Sequence, residues 1–166
     1  MKIIDNALSQ HIFEDVRQYL QRNMGDFSWQ SSEILWEPGL KIGIIGSCLI
    51  RETPEDLRVN LEQELSKHLP DYDELVINFH VWQHGSGISA HTDSSYKFGA
   101  TLYLNTDWHY NHGGLFVWQP EGEQTMRALS PSGNTLVVND EREVHMVTPI
   151  STIAPSFRVT LQIWGK

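Results

Sequence analysis

The sequence predicts a mainly β fold, a two-sheet sandwich or double-sheet jelly roll with two amphipathic helices ahead of it. Two segments before residue 70 have apolar residues at helical spacing. From Leu75 onward, short apolar or alternating runs are separated by clusters of Gly, Asn, Asp, Ser and Pro, a pattern typical of strands and turns. Neither a repeat nor a linker is evident, so we expect a single domain that spans residues 1–166.

The first predicted helix follows Ser9, a residue type that commonly caps helix N-termini. Its apolar stripe consists of Ile12, Phe13, Val16, Tyr19 and Leu20. The second helix is predicted to have Thr53 as its N-cap and Pro54 at its first position. Its apolar stripe consists of Leu57, Leu61, Leu65 and Leu69. Both helices need an apolar surface, and the later sequence supplies a sheet.

Seven strands are predicted, at residues 75–82, 98–104, 115–118, 126–129, 135–138, 144–147 and 157–164. One face of the last strand carries Arg158, Thr160, Gln162 and Trp164, whereas the other face is apolar. The first strand likewise places Asn78, His80 and Trp82 opposite an apolar face. We interpret these two polar faces as the lining of an internal cavity.

Charge and cysteine content restrict the class of protein. A formal net charge of −9 disfavours nucleic-acid partners, since their binding surfaces concentrate Lys and Arg. Cys48 is the single cysteine, which excludes an internal disulfide and suits a reducing compartment. The sequence has neither a secretory signal nor a stretch long enough to span a membrane. We therefore expect a cytoplasmic protein without membrane or nucleic-acid partners.

His91, Asp93 and His145 form a candidate metal site. Two imidazoles and one carboxylate bind one face of Fe(II) and leave the opposite face free for chemistry. If His91 and Asp93 lie on one strand, their side chains point to the same side. His145 belongs to a separate apolar run and can supply the third ligand from another strand. Taken alone, His91 and Asp93 could instead lie in a surface turn.

Four motifs follow one another in the second half of the chain. They are the HTD at 91–93, the YLN and Trp at 103–108 leading to Gly113 and Gly114, the HMVTPI at 145–150, and the R-x-T-x-Q-x-W at 158–164. As an ordered set they resemble the Fe(II)/2-oxoglutarate-dependent dioxygenase superfamily, and within it the prolyl 4-hydroxylase-like branch. The resemblance implies a double-stranded β-helix (jelly roll) core with the N-terminal helices packed on the larger sheet.

The resemblance also implies roles for individual residues. His91, Asp93 and His145 would be the Fe(II) ligands at the catalytic centre, and Arg158 would pair with the distal carboxylate of 2-oxoglutarate. Arginine suits this role because its planar fork matches a carboxylate. Tyr103 would donate its hydroxyl to the same carboxylate, although it could instead simply pack in the core, and Thr160 completes the cosubstrate-binding set. Fe(II) is the implied cofactor, 2-oxoglutarate and O2 are the cosubstrates, and ascorbate is a further candidate.

The implied reaction is hydroxylation of an unactivated C–H bond, with succinate and CO2 as coproducts. The expected substrate is a prolyl or other residue in a peptide or protein. Two alternatives stay open: a hydroxylase of a free amino acid or small metabolite, and a cupin-like metal-binding protein without oxygenase activity. We expect substrate selection to reside in the loops 84–89 and 105–113. Four histidines have no assigned role: His80, His84, His109 and His112.

Overall fold

The computed structural model describes residues 1–26, 28–31 and 43–166. Within these ranges it contains two helices, α1 (Gln10–Asn23) and α2 (Glu55–Leu65), and one short 3-10 helix (Tyr110–His112). The larger sheet contains β1 (Lys2–Ile4), β2 (Gln30–Ser31), β4 (Cys48–Glu52), β5 (Leu75–Trp82), β7 (Phe98–Tyr103), β10 (Leu136–Asp140) and β12 (Arg158–Gly165). The smaller sheet contains β3 (Ile44–Ile45), β6 (Gly87–His91), β8 (Phe116–Trp118), β9 (Arg127–Leu129) and β11 (His145–Val147).

All strand pairs in the two sheets are antiparallel. The larger sheet has the order β1-β10-β7-β12-β5-β4-β2, and the smaller sheet has the order β3-β6-β11-β8-β9. Successive strands therefore alternate between the sheets along much of the chain, and sequence neighbours are seldom paired. This topology confirms the double-stranded β-helix.

Two apolar cores hold these layers together. The outer core lies between the helices and the larger sheet, and it includes Leu61, Leu65 and Phe79, all inaccessible to solvent. Full burial of a side chain of this size stabilises the fold by about 1.5–3 kcal/mol. The inner core lies between the two sheets and includes Phe116 and Val137. Because alternate residues of a strand face opposite sides, β5, β7 and β10 each contribute to both cores.

The helices differ from their predicted ends in two details. α1 begins after Ser9 as expected, but the Ser9 hydroxyl donates to the Glu64 carboxylate on α2 instead of capping its own helix. The cap therefore becomes a link between the two helices. Thr53 is not the N-cap of α2, because Pro54 occupies that position and the helix begins at Glu55.

Each predicted strand lies on an observed strand, with ends that differ by at most two residues. The sequence did not predict β1, β2, β3, β4 or β6. Three of these are only two or three residues long. Such short strands have no periodicity of their own and are defined by the partners with which they pair. Among the described residues, no helix is both long and apolar enough to cross a membrane.

Candidate active site

His91 is the last residue of β6 and His145 is the first residue of β11, where the two are paired across the smaller sheet. Asp93 lies beyond the end of β6, so it does not share that strand with His91. The turn after β6 nevertheless returns its carboxylate toward the histidines. The ligand atoms of the three side chains lie within 4.8 Å of one another, close enough for one metal ion to bind them all.

Backbone carbonyls orient both imidazoles. The Nδ1 atom of His91 lies 2.8 Å from the Ser89 carbonyl oxygen, and the Nδ1 atom of His145 lies 2.9 Å from that of Glu143. A carbonyl oxygen only accepts, so each Nδ1 carries the proton and each Nε2 keeps a free lone pair. The Phe116 ring stacks on His145 with 5.1 Å between ring centroids. Both rings are thus held in the form that binds a metal.

Burial favours the neutral form of His91. It lowers the pKa of His91, and the neighbouring His145 adds to that effect. Asp93 and His145 are themselves only 5 % exposed. The Asp93 Oδ2 atom lies 3.6 Å from the His145 Nε2 atom and accepts a hydrogen bond of 2.8 Å from the Asn139 side chain. The site therefore brings two imidazole nitrogens and one carboxylate together.

The cavity next to these ligands continues between the sheets to Arg158 at the start of β12. Its lining includes His80 and Trp82 from one predicted polar face and Arg158, Gln162 and Trp164 from the other, but neither Asn78 nor Thr160. The lining residues are His80, Trp82, Ile88, His91, Asp93, Thr101, Phe116, His145, Val147, Arg158, Gln162 and Trp164. Arg158 is paired across the sheet with Trp82 at one end of this wall, and Trp164 is paired with Gly99 nearer the other end.

Arg158 is 2 % exposed, and its Nε donates to the Gly114 carbonyl oxygen at 3.0 Å. It forms no ion pair with any described residue. Burial lowers the pKa of the guanidinium, yet arginine remains charged in proteins. A buried cation without a counter-ion is costly, so this end of the cavity favours an anionic ligand.

Tyr103 and Thr160 are cross-strand neighbours at the Arg158 end, and both are buried. Their hydroxyls form no hydrogen bond of normal geometry with the described residues. Burial raises the pKa of Tyr103, against the opposing effect of Arg158, so its phenol stays a donor. The guanidinium carbon lies 5.2 Å from the Tyr103 ring centre. A buried cation with two hydroxyls beside it forms a polar environment that favours an anionic ligand.

The family model of the 2OG-Fe(II) oxygenase superfamily matches residues 77–166. The chain belongs to this superfamily. It is therefore a 2-oxoglutarate-dependent dioxygenase, whose cofactor is Fe(II) and whose cosubstrate is 2-oxoglutarate. The matched region contains all six residues predicted to bind the metal or cosubstrate. No curated protein matched the sequence.

Solved structures similar to this oxygenase include two prolyl hydroxylases. The Pseudomonas putida prolyl-4-hydroxylase is 19% identical with a TM-score of 0.69, and the match covers 99% of this chain and 91% of that one. A Trichoplax adhaerens prolyl hydroxylase, in complex with a hypoxia inducible factor peptide fragment, has 17% identity and a TM-score of 0.78. The match covers 99% of this chain and 82% of that one. HygX from Streptomyces hygroscopicus, with nickel, 2-oxoglutarate and hygromycin B bound, has 12% identity and a TM-score of 0.64. The match covers 99% of this chain and 82% of that one. These likenesses establish the fold.

The four unassigned histidines separate into two groups. His80 lines the cavity of the oxygenase and is buried, whereas His84, His109 and His112 lie at the Arg158 end. There the loops 84–86 and 105–113 contact the segment that precedes β12, through the Gly85 amide on the Ile150 carbonyl and the Ser151 amide on the His112 carbonyl. The loops that adjoin the candidate ligands are instead 92–97, 119–126 and 141–144. The expectation that the loops 84–89 and 105–113 select the substrate stays a prediction.

Sequence reasoning missed two residues of the site, Asn139 and Gly99. Asn139 donates to Asp93, and Gly99 leaves space for the same carboxylate. The available signal was weak, because Asn139 is a polar residue at the end of an apolar run and Gly99 lies inside a predicted strand. A glycine within a strand often marks a close approach, which is the case here.

Proposed function

We propose that His91, Asp93 and His145 hold the catalytic Fe(II), and that the enzyme hydroxylates a prolyl or other residue in a peptide or protein. One observation carries the proposal: three metal-binding groups converge at one end of a cavity whose other end holds a buried guanidinium with no ion-pair partner among the described residues. This arrangement suits a dianionic cosubstrate that bridges the two ends.

The protein's own residues bind and orient the reactants. Two imidazoles and one carboxylate would leave a bound ferrous ion with residual positive charge, which would favour the near carboxylate of 2-oxoglutarate. Arg158 would pair with the far carboxylate, and the hydroxyls of Tyr103 and Thr160 would donate to it. When bound, Fe(II) and 2-oxoglutarate supply the oxidising chemistry that consumes O2, yields succinate and CO2, and hydroxylates the substrate. The inner core around the cavity excludes water from this chemistry.

An aromatic surface near the ligands supports a prolyl substrate. Trp164 lines the cavity, and the Tyr96 ring, in the turn after Asp93, stacks on it with centroids 5.5 Å apart. Aromatic side chains are a common surface for proline rings. The similar fold of the peptide-bound Trichoplax hydroxylase adds support, whereas the HygX likeness keeps a small-molecule substrate as the second candidate. The family match favours either over a cupin-like protein without oxygenase activity.

The test is a succinate-release screen with Fe(II), 2-oxoglutarate and O2. Proline-containing peptides are compared with the same peptides carrying alanine and with free amino acids. We expect a proline-containing peptide to stimulate succinate release and to gain one oxygen atom. The variants D93A and H145A should lose turnover, whereas H11A, on the exposed face of α1, should retain it. Stimulation by free amino acids alone would favour the metabolite hydroxylase, and full activity of both ligand variants would refute the ligand assignment.

We further propose a single domain of residues 1–166 and a cytoplasmic location. β1 and both helices pack on the same larger sheet as the motif-bearing strands, which supports one domain. Cys48 is buried and free, and both the thiol and Fe(II) persist under reducing conditions. Ascorbate is proposed as an additional reductant, to be tested by its effect on the number of turnovers before inactivation.

A further inference from the structure

Asn139 and Gly99 form a cross-strand pair on β10 and β7, directly beneath the Asp93 carboxylate. Asn139 is 1 % exposed, and its Nδ2 donates to the Asp93 Oδ2 atom at 2.8 Å. A Cβ atom on Gly99 would lie only 2.0 Å from the same Oδ2 atom. One strand therefore leaves space for the carboxylate while its neighbour provides a hydrogen bond to it.

The chemistry of this contact fixes its direction. A carboxylate only accepts hydrogen bonds, so the amide nitrogen of Asn139 must face it. The amide is neutral and leaves the full negative charge of Asp93 available to a cation. A lysine or arginine at this position would compete with the metal for that charge. Asn139 thus holds the carboxylate without neutralising it.

Asp93 needs such a partner more than the histidines do. Both histidines lie on strands and have a backbone carbonyl that orients the ring. Asp93 lies in the turn after β6, where its backbone carbonyl accepts from the Tyr96 amide. Among the described residues, Asn139 is the only group that hydrogen-bonds the Asp93 carboxylate. The link also joins the two sheets, since Asp93 extends from the smaller sheet and Asn139 belongs to the larger one.

We propose that Asn139 is a positioning residue, which fixes the rotation of the Asp93 carboxylate so that the metal meets three preassembled ligands. This inference rests on the proposed function, because it takes Asp93 as a metal ligand. Partners that orient metal ligands typically change metal affinity about 10–100-fold when removed. The 2-oxoglutarate anchor at Arg158 lies at the other end of the cavity and is independent of this contact.

The experiment measures Mn(II) binding to the full chain by electron paramagnetic resonance of the free ion. We expect N139A and N139L to raise the Mn(II) dissociation constant about 10–100-fold. G99A should raise it similarly, because the added methyl group would lie 2.0 Å from the Asp93 Oδ2 atom and displace the carboxylate. At saturating Fe(II), N139A should regain most of its kcat, with an unchanged KM for 2-oxoglutarate.

V138A is the matched control. Val138 is the neighbour of Asn139 on β10, but its side chain is buried in the outer core, away from Asp93. It should lower the thermal midpoint without changing Mn(II) affinity, which separates lost stability from lost positioning. Near-UV circular dichroism establishes that each variant is folded, and N139L retains the side-chain volume if N139A does not fold.

D93A distinguishes failure of this inference from failure of the proposed function. Wild-type Mn(II) affinity in D93A would overturn the ligand assignment, and the inference with it. A large loss in D93A together with Mn(II) dissociation constants of N139A, N139L and G99A within twofold of wild type would overturn the positioning role alone. A loss in V138A equal to that in N139A would overturn it as well, because the effect would then follow general stability.

Discussion

His91 and His145 are cross-strand neighbours on β6 and β11, and the centroids of their rings lie 4.3 Å apart. This pairing sets the distance between two of the three candidate ligands through the backbone register of the smaller sheet. We expect H91A to reduce metal affinity by more than about 100-fold, which exceeds the loss typical of an orienting partner. Anaerobic calorimetric titration with Fe(II) checks this, with H11A on the exposed face of α1 as the control. Unchanged affinity in H91A would contradict the assignment.

Replacing Arg158 by lysine should weaken binding of 2-oxoglutarate. Lysine keeps the charge but loses both the planar fork and the bond to the Gly114 carbonyl. A hydrogen bond to a charged group contributes about 1.5–3 kcal/mol, so the KM for 2-oxoglutarate should rise by roughly 10–150-fold. The Fe(II) affinity should stay the same. R142K is the control, because Arg142 is exposed and its substitution should leave this KM unchanged.

Gly114 is required by both backbone conformation and space. Its φ is +63°, and a Cβ atom would lie 2.8 Å from the Arg158 Cδ atom. We expect G114A to lower the free energy of unfolding by about 1–3 kcal/mol and to raise the KM for 2-oxoglutarate. G122A separates the two effects, because Gly122 has φ +77° with no atom within 4 Å of the added Cβ. G122A should lower the free energy of unfolding and leave the KM for 2-oxoglutarate unchanged. An equal KM change in both variants would contradict the steric explanation.

His80 should make stability depend on pH. Burial, with a smaller effect of the Arg158 charge, lowers its pKa to about 3 in the folded state, against about 6.5 in the unfolded chain. As the pH falls below about 6.5, the unfolded chain therefore takes up the proton first, and folding loses stability. This group should remove on the order of 2 kcal/mol between pH 7 and pH 5.

Urea unfolding followed by tryptophan fluorescence at these two pH values tests the His80 prediction. H80N should show a smaller loss between pH 7 and pH 5 than the wild type. H11N is the matched control, since His11 is exposed on α1 and its substitution should reproduce the wild-type difference. An H80N difference as large as that of the wild type would show that another group is responsible.

The parts of the site that the sequence predicts are those encoded by local spacing. The alternation along β12 predicted that Arg158, Gln162 and Trp164 share a cavity wall, because period two is a property of one strand. The ordered motifs predicted which residues would meet around that cavity. By contrast, the contact between Asn139 and Asp93 depends on the register of β10 with β7 and on the packing of one sheet against the other. Neither the register nor the packing of the sheets can be predicted from a single segment of the sequence.

The short strands were missed for a related reason. β1 pairs with β10 through only three residues, and β3 pairs with β6 through two. Their extended conformation is imposed by a partner that lies far away in sequence. Asp93 differs for another reason. The spacing of His91 and Asp93 suggested a shared strand, whereas Asp93 lies in the turn after β6. Its carboxylate reaches the histidines through a local change of backbone direction.

The carbonyls of Ser89 and Glu143 each precede their histidine by two residues. Each imidazole is therefore aligned by its own short piece of backbone, and this alignment can form as soon as that piece is extended. The Asp93 carboxylate is not oriented by its own backbone, because the amide that orients it belongs to Asn139 in the opposing sheet. During folding, the two imidazoles could be oriented before the two sheets pack together, whereas the Asp93 carboxylate could not. The site should therefore reach its full metal affinity only when the sheets are packed. A fluctuation that separates the two sheets should therefore loosen the contact between Asp93 and the metal before the contacts made by the histidines.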